Sequence, residues 1–290
     1  MLWFSLAFMT ALASATEAAT LKRYFPQLGP FEAALYPTAY SLPYYLLLLP
    51  FLHQPQIHPD YWATCLILLP VNVVGMVLYY RAINLAPLSL TLPYIAFTPA
   101  FVLGTGYLIL GEVPNSWGAL GVGCITLGCY ILNIDTRKTG GWTAPLRAAV
   151  ANPGSRSALA AAMIFGLAAV LGKKGIAESD PLFFMATFFP MQAATLLILL
   201  PLTGLARLSC LRHTPGKGAV LGALFFLHIL FHCTSVALTK TAYAISIKRL
   251  NAVISVILGA LWLGESNIRN RLAGASLMFI GAAIIGLLGQ

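Results

Sequence analysis

The chain carries one hydrophobic sequence twice, and this duplication restricts its fold more than any other feature. The segment from Leu85 to Leu132 returns as Leu238 to Ile285 without a gap, at a separation of 153 residues. Identical residues at that separation include Gly106 and Gly259, Leu110 and Leu263, Glu112 and Glu265, Gly121 and Gly274, and Gly128 and Gly281. Because both copies read as hydrophobic helices, we predict an all-α integral membrane fold built by duplication, in which a small-molecule site lies where the repeats meet.

Composition supports a membrane protein. The residues are 59% hydrophobic and only 9% charged, and the mean hydropathy is +0.83, which excludes a soluble domain. Apolar stretches of about 20 residues, the length that crosses a bilayer, recur throughout. The net charge of +9 lies in short loops between these stretches rather than on one polar face, so we expect no nucleic-acid partner.

The sequence predicts no cofactor and no enzymatic activity. The five cysteines show no CxxC spacing, and four of them lie within predicted spans, where they act as small apolar residues rather than disulfides or metal ligands. No phosphate-binding GxxxxGK[ST] motif is present, so we expect no ATP hydrolysis by this chain. No cleavable signal peptide is expected, because the first apolar stretch lacks a basic leader and continues as a full span.

Ten membrane spans are predicted, in two inverted repeats of five helices. Residues 1–135 form the first repeat, 136–156 a connecting loop and 157–290 the second repeat. Since five is odd, the second repeat enters the membrane from the opposite side, and both termini share one compartment. The predicted spans are 2–21, 31–52, 61–81, 88–110, 115–134, 157–176, 182–203, 218–239, 241–264 and 270–288.

Charge sets the predicted orientation. Loops after the odd-numbered spans carry twelve Lys and Arg residues, against three after the even-numbered spans. The positive-inside rule then places the twelve-charge side in the cytoplasm and both termini outside an inner or plasma membrane.

The repeated unit resembles the drug/metabolite transporter superfamily, and its ten-helix EamA-type members most closely. The resemblance rests on Leu110-Gly111-Glu112 and Leu263-Gly264-Glu265, each before a glycine-rich last helix, and on Ile245 to Leu250 followed by Ser255 and Gly259. It implies a secondary transporter that works by alternating access, with both termini in the cytoplasm, opposite to the charge count. A Lys-Arg pair also binds the anion in the triose-phosphate translocators of this superfamily. Their second basic residue, on the fourth helix, is absent here, where Ile95 is the repeat mate of Lys248.

Lys248 and Arg249 are the first candidates for substrate binding. They lie roughly 9 Å inside the ninth span, and charges at such depth usually face a cavity or a partner. Adjacent residues point about 100° apart on a helix, so we favour Lys248, which shares a face with Asn251 and Ser255. An anionic group on the substrate is the expected ligand, and snorkelling or pairing with an acid is the alternative.

Glu17 is the candidate for proton coupling. It lies in the first span, in a segment that resembles the first helix of small multidrug-resistance transporters, whose membrane glutamate binds protons and cations. An interfacial acid near Lys22 is the structural alternative.

The eighth span carries a polar stripe. His228, His232, Ser235 and Thr239 share one helix face, which should point towards protein or water rather than lipid. The repeat aligns this stripe with the third span, so the third, fourth, eighth and ninth spans are predicted to line the cavity. Further pocket residues are then Asn72, Tyr79 and Tyr94. A metal site on the HxxxH pair lacks an evident third ligand, and interhelical hydrogen bonding is the alternative.

Two further features are interpreted as structural. Glu112 and Glu265 follow a helix end, where each suits the positive N-terminus of the next helix. Glycine faces on the fifth and tenth spans allow close helix contact, within the bundle or in a possible homodimer. These faces comprise Gly118, Gly121, Gly128, Gly274 and Gly281.

The predicted function is secondary transport of a small anionic or zwitterionic organic metabolite across the membrane. The expected partners are this substrate and the surrounding membrane lipid. Three alternatives stay open: a proton-coupled exporter of cationic or aromatic compounds centred on Glu17, an intramembrane metalloenzyme using His228 and His232, and a lipid flippase.

Overall fold

The computed structural model describes residues 1–52, 55–85, 93–133, 152–212, 214–263 and 272–289, and all regular structure within these ranges is helical. The α-helices are α1 (Leu2–Tyr24), α2 (Pro30–Leu48), α3 (Tyr61–Leu85), α4 (Thr98–Leu110), α5 (Ser116–Asn133), α6 (Pro153–Ala177), α7 (Pro181–Leu202), α8 (Pro215–Leu238), α9 (Thr241–Lys248), α10 (Asn251–Leu263) and α11 (Leu272–Leu288). Short 3₁₀ helices lie at Leu49–Phe51 and Leu208–Arg212.

Several helices have the length and composition of membrane spans. Within the described ranges, seven helical segments are long and apolar enough to cross a bilayer: Leu2–Tyr24, Tyr61–Leu85, Pro93–Leu110, Pro153–Ala177, Pro181–Leu202, Pro215–Leu238 and Thr241–Leu258. Their large apolar side chains also cover much of the outer surface, as on Leu108 and Leu202, which are each about four-fifths exposed. This surface suits lipid, and the protein is a multi-pass integral membrane protein. The count of ten spans stays a prediction.

The sixth span starts earlier than its hydrophobicity indicates. Asn152-Pro153-Gly154 was predicted to end the connecting loop, with the helix starting at residue 157. Instead, α6 begins at Pro153, and the Asn152 side chain accepts hydrogen bonds from the N–H groups of Gly154 and Ser155. Asparagine at the N-cap and proline at the first helical position favour a helix start. The asparagine side chain accepts hydrogen bonds from N–H groups that lack a helical partner, and proline has no N–H that needs one. The rest of the predicted loop lies largely outside the described residues.

The fourth and ninth spans, predicted as single helices, are broken at repeat-related positions. The ninth is interrupted at Arg249-Leu250 and the fourth at Ala96-Phe97, 153 residues earlier. The hydrogen bonds also correspond. Phe97 N–H donates to Tyr94 C=O over 3.0 Å, and Leu250 N–H donates to Ile247 C=O over 3.0 Å. These i→i−3 bonds tighten the chain locally and separate each span into two helical parts.

Each half of the chain places its first helix against the other half. Helix α1 packs on α8 and α10, and α6 packs correspondingly on α3 and α4. The last helices of the two halves, α5 and α11, pack on each other. The two halves therefore share one continuous bundle, and any site between α1, α8 and α9 is built from both.

The glycines of α5 and α11 pack within this chain. A Cβ added to Gly128 would lie 2.7 Å from the Gly274 carbonyl oxygen, and one added to Gly274 would lie 2.6 Å from the Gly128 carbonyl oxygen. Gly121 and Gly281 form a second reciprocal pair, with distances of 2.8 and 2.6 Å. Glycine lets the two backbones approach this closely. The homodimer stays a prediction.

Candidate functional site

The acid of the first span meets the histidine stripe of the eighth. Glu17 Oε2 on α1 lies 3.0 Å from His228 Nδ1 on α8. Their side chains are 16% and 13% exposed, so both are largely enclosed while still reached by solvent. The pair joins the first helix of one half to the third helix of the other.

Lys248 of α9 interacts with the same group of residues. We refer to Glu17, His228, His232 and Lys248 as the cluster. Lys248 is the last residue of its helix, where a cation is favoured by the negative end of the helix dipole. Its charge interacts electrostatically with Glu17, His228 and His232, so Lys248 lies in the same region of the bundle. Lys248, predicted as the substrate-binding cation, is therefore also a neighbour of the predicted proton-coupling acid.

Asn251 extends this cluster across the break. It is the first residue of α10, and its amide nitrogen donates a 2.9 Å hydrogen bond to Ser14 Oγ on α1. Ser14 lies one helical turn from Glu17, so both α1 residues present their polar groups towards the break. Ser255 is half-buried one turn further along α10.

Arg249, which follows Lys248 at the helix break, has different electrostatic neighbours. Its charge acts on Tyr79 of α3 and on Cys129 of α5. Its Nε is buried and has no hydrogen-bond partner among the described residues. A buried guanidinium with a free donor suits a carboxylate or phosphate oxygen.

The two histidines have unused ring nitrogens. His228 Nε2 and His232 Nδ1 are buried, and neither has a hydrogen-bond partner in the described part of the chain. The two ring centroids are 6.5 Å apart. Buried polar atoms are normally satisfied, so these nitrogens are available to a bound molecule or to water.

Two predicted pocket residues lie outside this cluster. Tyr94 is 2% exposed and packs with Ala82 and Ala158 in a separate apolar group. Asn72 is half-buried on α3, and no hydrogen bond joins it to the cluster within the described ranges. Their roles in substrate binding stay predictions.

Three residues near Glu17 were not predicted from the sequence. Ser14 was identifiable, because it precedes Glu17 by three positions on the same helix face. Tyr45 of α2 and Tyr80 of α3 also lie close enough to interact electrostatically with Glu17. Their sequence neighbourhoods are simply aromatic and apolar, so only tertiary packing reveals them.

Glu112 has a partner different from the one predicted. Its carboxylate was expected at the N-terminus of the next helix, α5. Instead, Oε2 accepts a 2.7 Å hydrogen bond from the Thr241 N–H at the start of α9, and Oε1 lies 2.6 Å from Lys173 Nζ on α6. Helix α4 ends at its C-cap Gly111, whose φ of +66° is readily adopted by glycine. Glu265 lies outside the described residues.

A group of possible metal ligands lies away from this cluster. Among the described residues, His58, Asp60 and Glu178 have potential ligand atoms within 4.8 Å of one another. His228 and His232 do not belong to such a group, so their geometry gives the metalloenzyme alternative no support.

Comparisons with known proteins address the fold and the family of this chain. One solved crystal structure covers 99% of this chain and 98% of its own, with a TM-score of 0.72 and 17% sequence identity, which shows a shared fold. A search of curated proteins found no match. The sequence profile of the EamA-like transporter family matches twice, over residues 1–134 and 152–287, close to the two predicted repeats. The chain therefore belongs to the EamA-like transporter family.

Proposed function

We propose that the protein is a secondary transporter that moves a small anionic or zwitterionic organic metabolite across the inner cell membrane by alternating access. The proposed substrate site comprises the cluster of Glu17, His228, His232 and Lys248, together with Arg249 at the adjoining helix break. Membership of a transporter family and a site formed by both halves support the proposal, because rocking the halves changes access to a site between them.

The basic residues of the ninth span are the observation that supports an anionic group on the substrate. The ninth span carries two adjacent basic residues, Lys248 and Arg249, and the charge of Lys248 acts on Glu17. With neutral histidines the site, when Arg249 is included, carries an excess positive charge. Charges within a membrane usually face a partner or an aqueous cavity, and here the excess charge calls for an anionic group on the substrate.

The helix break supports the same conclusion. Helix α10 begins at Asn251, two residues after Arg249. The N-terminus of a helix carries partial positive charge and free N–H groups. Discontinuous transporter helices direct such ends at anionic substrate groups. The break therefore adds to the attraction provided by Lys248 and Arg249.

Export of cationic compounds through Glu17 is less well supported. The carboxylate of Glu17 is already 3.0 Å from His228, and the charge of Lys248 acts on it. A cationic substrate would have to displace the histidine and approach a lysine. A zwitterion places its ammonium group near Glu17 and its carboxylate near the basic residues.

A thermal-shift screen of the purified full-length protein tests the proposal. The ligands are panels of metabolite anions, zwitterions and cations, applied to wild type, Lys248→Ala and Glu17→Gln. A ligand that binds only the folded state at about 100 times its Kd stabilises that state by about 2.7 kcal/mol. We expect stabilisation by anions or zwitterions, lost in Lys248→Ala. Stabilisation by cations alone, lost in Glu17→Gln, would reject the anion site in favour of the cation exporter.

A further inference from the structure

One end of the bundle carries a charged junction that the substrate site does not use. We define the Glu112 junction as Glu112, Lys173, Thr239 and Thr241. Glu112 Oε1 lies 2.6 Å from Lys173 Nζ, and Oε2 accepts the Thr241 N–H over 2.7 Å. Lys173 Nζ also donates to the Thr239 carbonyl. The Glu112 and Lys173 side chains are only 12% and 19% exposed, so the ion pair is largely shielded from water.

The junction joins the two halves of the chain. Glu112 belongs to the first half, whereas its partners belong to the second. Two other bonds across the halves lie at the same end: His58 N–H donates to Glu178 C=O over 2.8 Å, and Asn115 Nδ2 donates to Leu288 C=O over 2.7 Å. Within the described ranges, the two halves are therefore joined at this end by contacts that any separation of the halves must break.

The junction also holds the helix that presents the candidate cation. Thr241 is the first residue of α9 and Lys248 is the last. A single short helix, about 12 Å long, thus connects Glu112 to the substrate site. Because a helix moves largely as a rigid rod, release of Thr241 by Glu112 would let the Lys248 end shift.

We propose that Glu112 and Lys173 form a latch that keeps the transporter closed at this end and positions α9, and that opening towards this side requires the pair to separate. This inference rests on the alternating-access function proposed above. Breaking the latch weakens only the conformation in which it is formed, so its loss shifts the population towards conformations open at this end.

Loss of a latch and loss of a simple helix cap change different properties of the protein. A cap stabilises the folded protein, so removing it lowers the melting temperature and leaves the balance between open and closed forms unchanged. A latch changes that balance. The decisive readout is therefore the accessibility of the interior from the Glu112 end, measured beside stability.

Cysteine labelling measures this accessibility directly. The five native cysteines are replaced by alanine, and Ser246→Cys is introduced. Ser246 is fully buried on α9, two residues before Lys248. A membrane-impermeant maleimide is applied to intact cells and to inside-out vesicles, so that each end of the bundle is probed separately. Ser14→Cys on α1 is a second reporter should the first variant fail to fold.

We expect Glu112→Gln and Lys173→Met to raise the labelling rate from the Glu112 end by at least about fivefold, the lower range of such couplings. Lys173→Arg, the matched control, keeps the charge and should label slowly like the parent. If both charge-removing variants label at the parent's rate but melt at lower temperatures, the junction is only a structural cap and the latch proposal is wrong. Labelling needs no substrate, so a failed ligand screen would not mimic this result.

Discussion

At the residue scale, Glu17 and His228 are the residues whose pairing most directly tests the site. His228→Ala removes the partner of a largely enclosed carboxylate, which costs about 1–3 kcal/mol. We expect the melting temperature of purified His228→Ala to fall by several degrees. His228→Gln, which can still donate a hydrogen bond, should recover part of the loss.

A double-mutant cycle separates the pair from its surroundings. Residues in direct contact give coupling energies of about 0.5–3 kcal/mol, whereas independent residues are additive. We expect Glu17→Gln and His228→Ala to be clearly non-additive in thermal stability. Additive effects would show that the 3.0 Å contact contributes nothing. Glu17→Gln with His232→Ala is the comparison, because His232 lies further along α8 and should couple more weakly.

The candidate residues themselves were predictable, but their partners were not. A charge in a hydrophobic span stands out in any sequence, and this singled out Glu17, Lys248 and Arg249. The polar spacing along the eighth span likewise singled out His228 and His232. Which of these meet depends on how α1 packs against α8, a contact between residues more than 200 positions apart. Hydrophobic periodicity carries no information on such pairings.

At the element scale, the packing of α5 on α11 depends on two glycine pairs. Gly128→Ala places a methyl group 2.7 Å from the Gly274 carbonyl oxygen, so one backbone must move. Overpacking of this kind costs about 1–3 kcal/mol. We expect Gly128→Ala to lower the melting temperature in detergent, measured by fluorescence-detected size exclusion after heating.

Gly123 provides the matched control on the same helix. Nothing lies within 4 Å of a Cβ built there, and alanine is favoured over glycine within a helix by about 1 kcal/mol. Gly123→Ala should therefore leave the melting temperature unchanged or raise it slightly. Equal losses in both variants would mean that the effect comes from the helix itself and not from the α5–α11 contact.

Of the two helix breaks, only the one in the fourth span could be explained from the local sequence. In the fourth span Pro99 has no N–H to donate to Ile95, which explains the interruption before it. Its repeat mate in the ninth span is Ala252, and no proline or glycine lies at Arg249-Leu250. The break is nevertheless present at the corresponding position. The duplicated bundle thus imposes in the second half a shape for which the local sequence gives no signal.

At the scale of the whole molecule, the duplication was visible in the sequence because the two copies align without a gap. The sequence did not show that each half packs its first helix against the other half, an arrangement that we call the exchange of first helices. A protein of two self-contained five-helix domains would show the same repeat, and only the packing of α1 on α8 and α10, matched by α6 on α3 and α4, distinguishes the two arrangements. The orientation in the membrane stays a prediction, with both termini outside by the charge count.

This exchange predicts how the halves behave when the chain is divided within residues 134–151. Each half alone leaves its first helix without its main packing surface, and it leaves polar groups such as Glu17 and Lys173 without partners from the other half. We expect either half expressed alone to be degraded or aggregated, and the two halves expressed together to co-purify through a tag on one. A stable, monodisperse single half would contradict this prediction, because it would show that the repeats are independent domains. Introducing Glu112→Gln into the co-expressed pair should reduce the recovered complex, because it removes the charge that pairs with Lys173 of the other half.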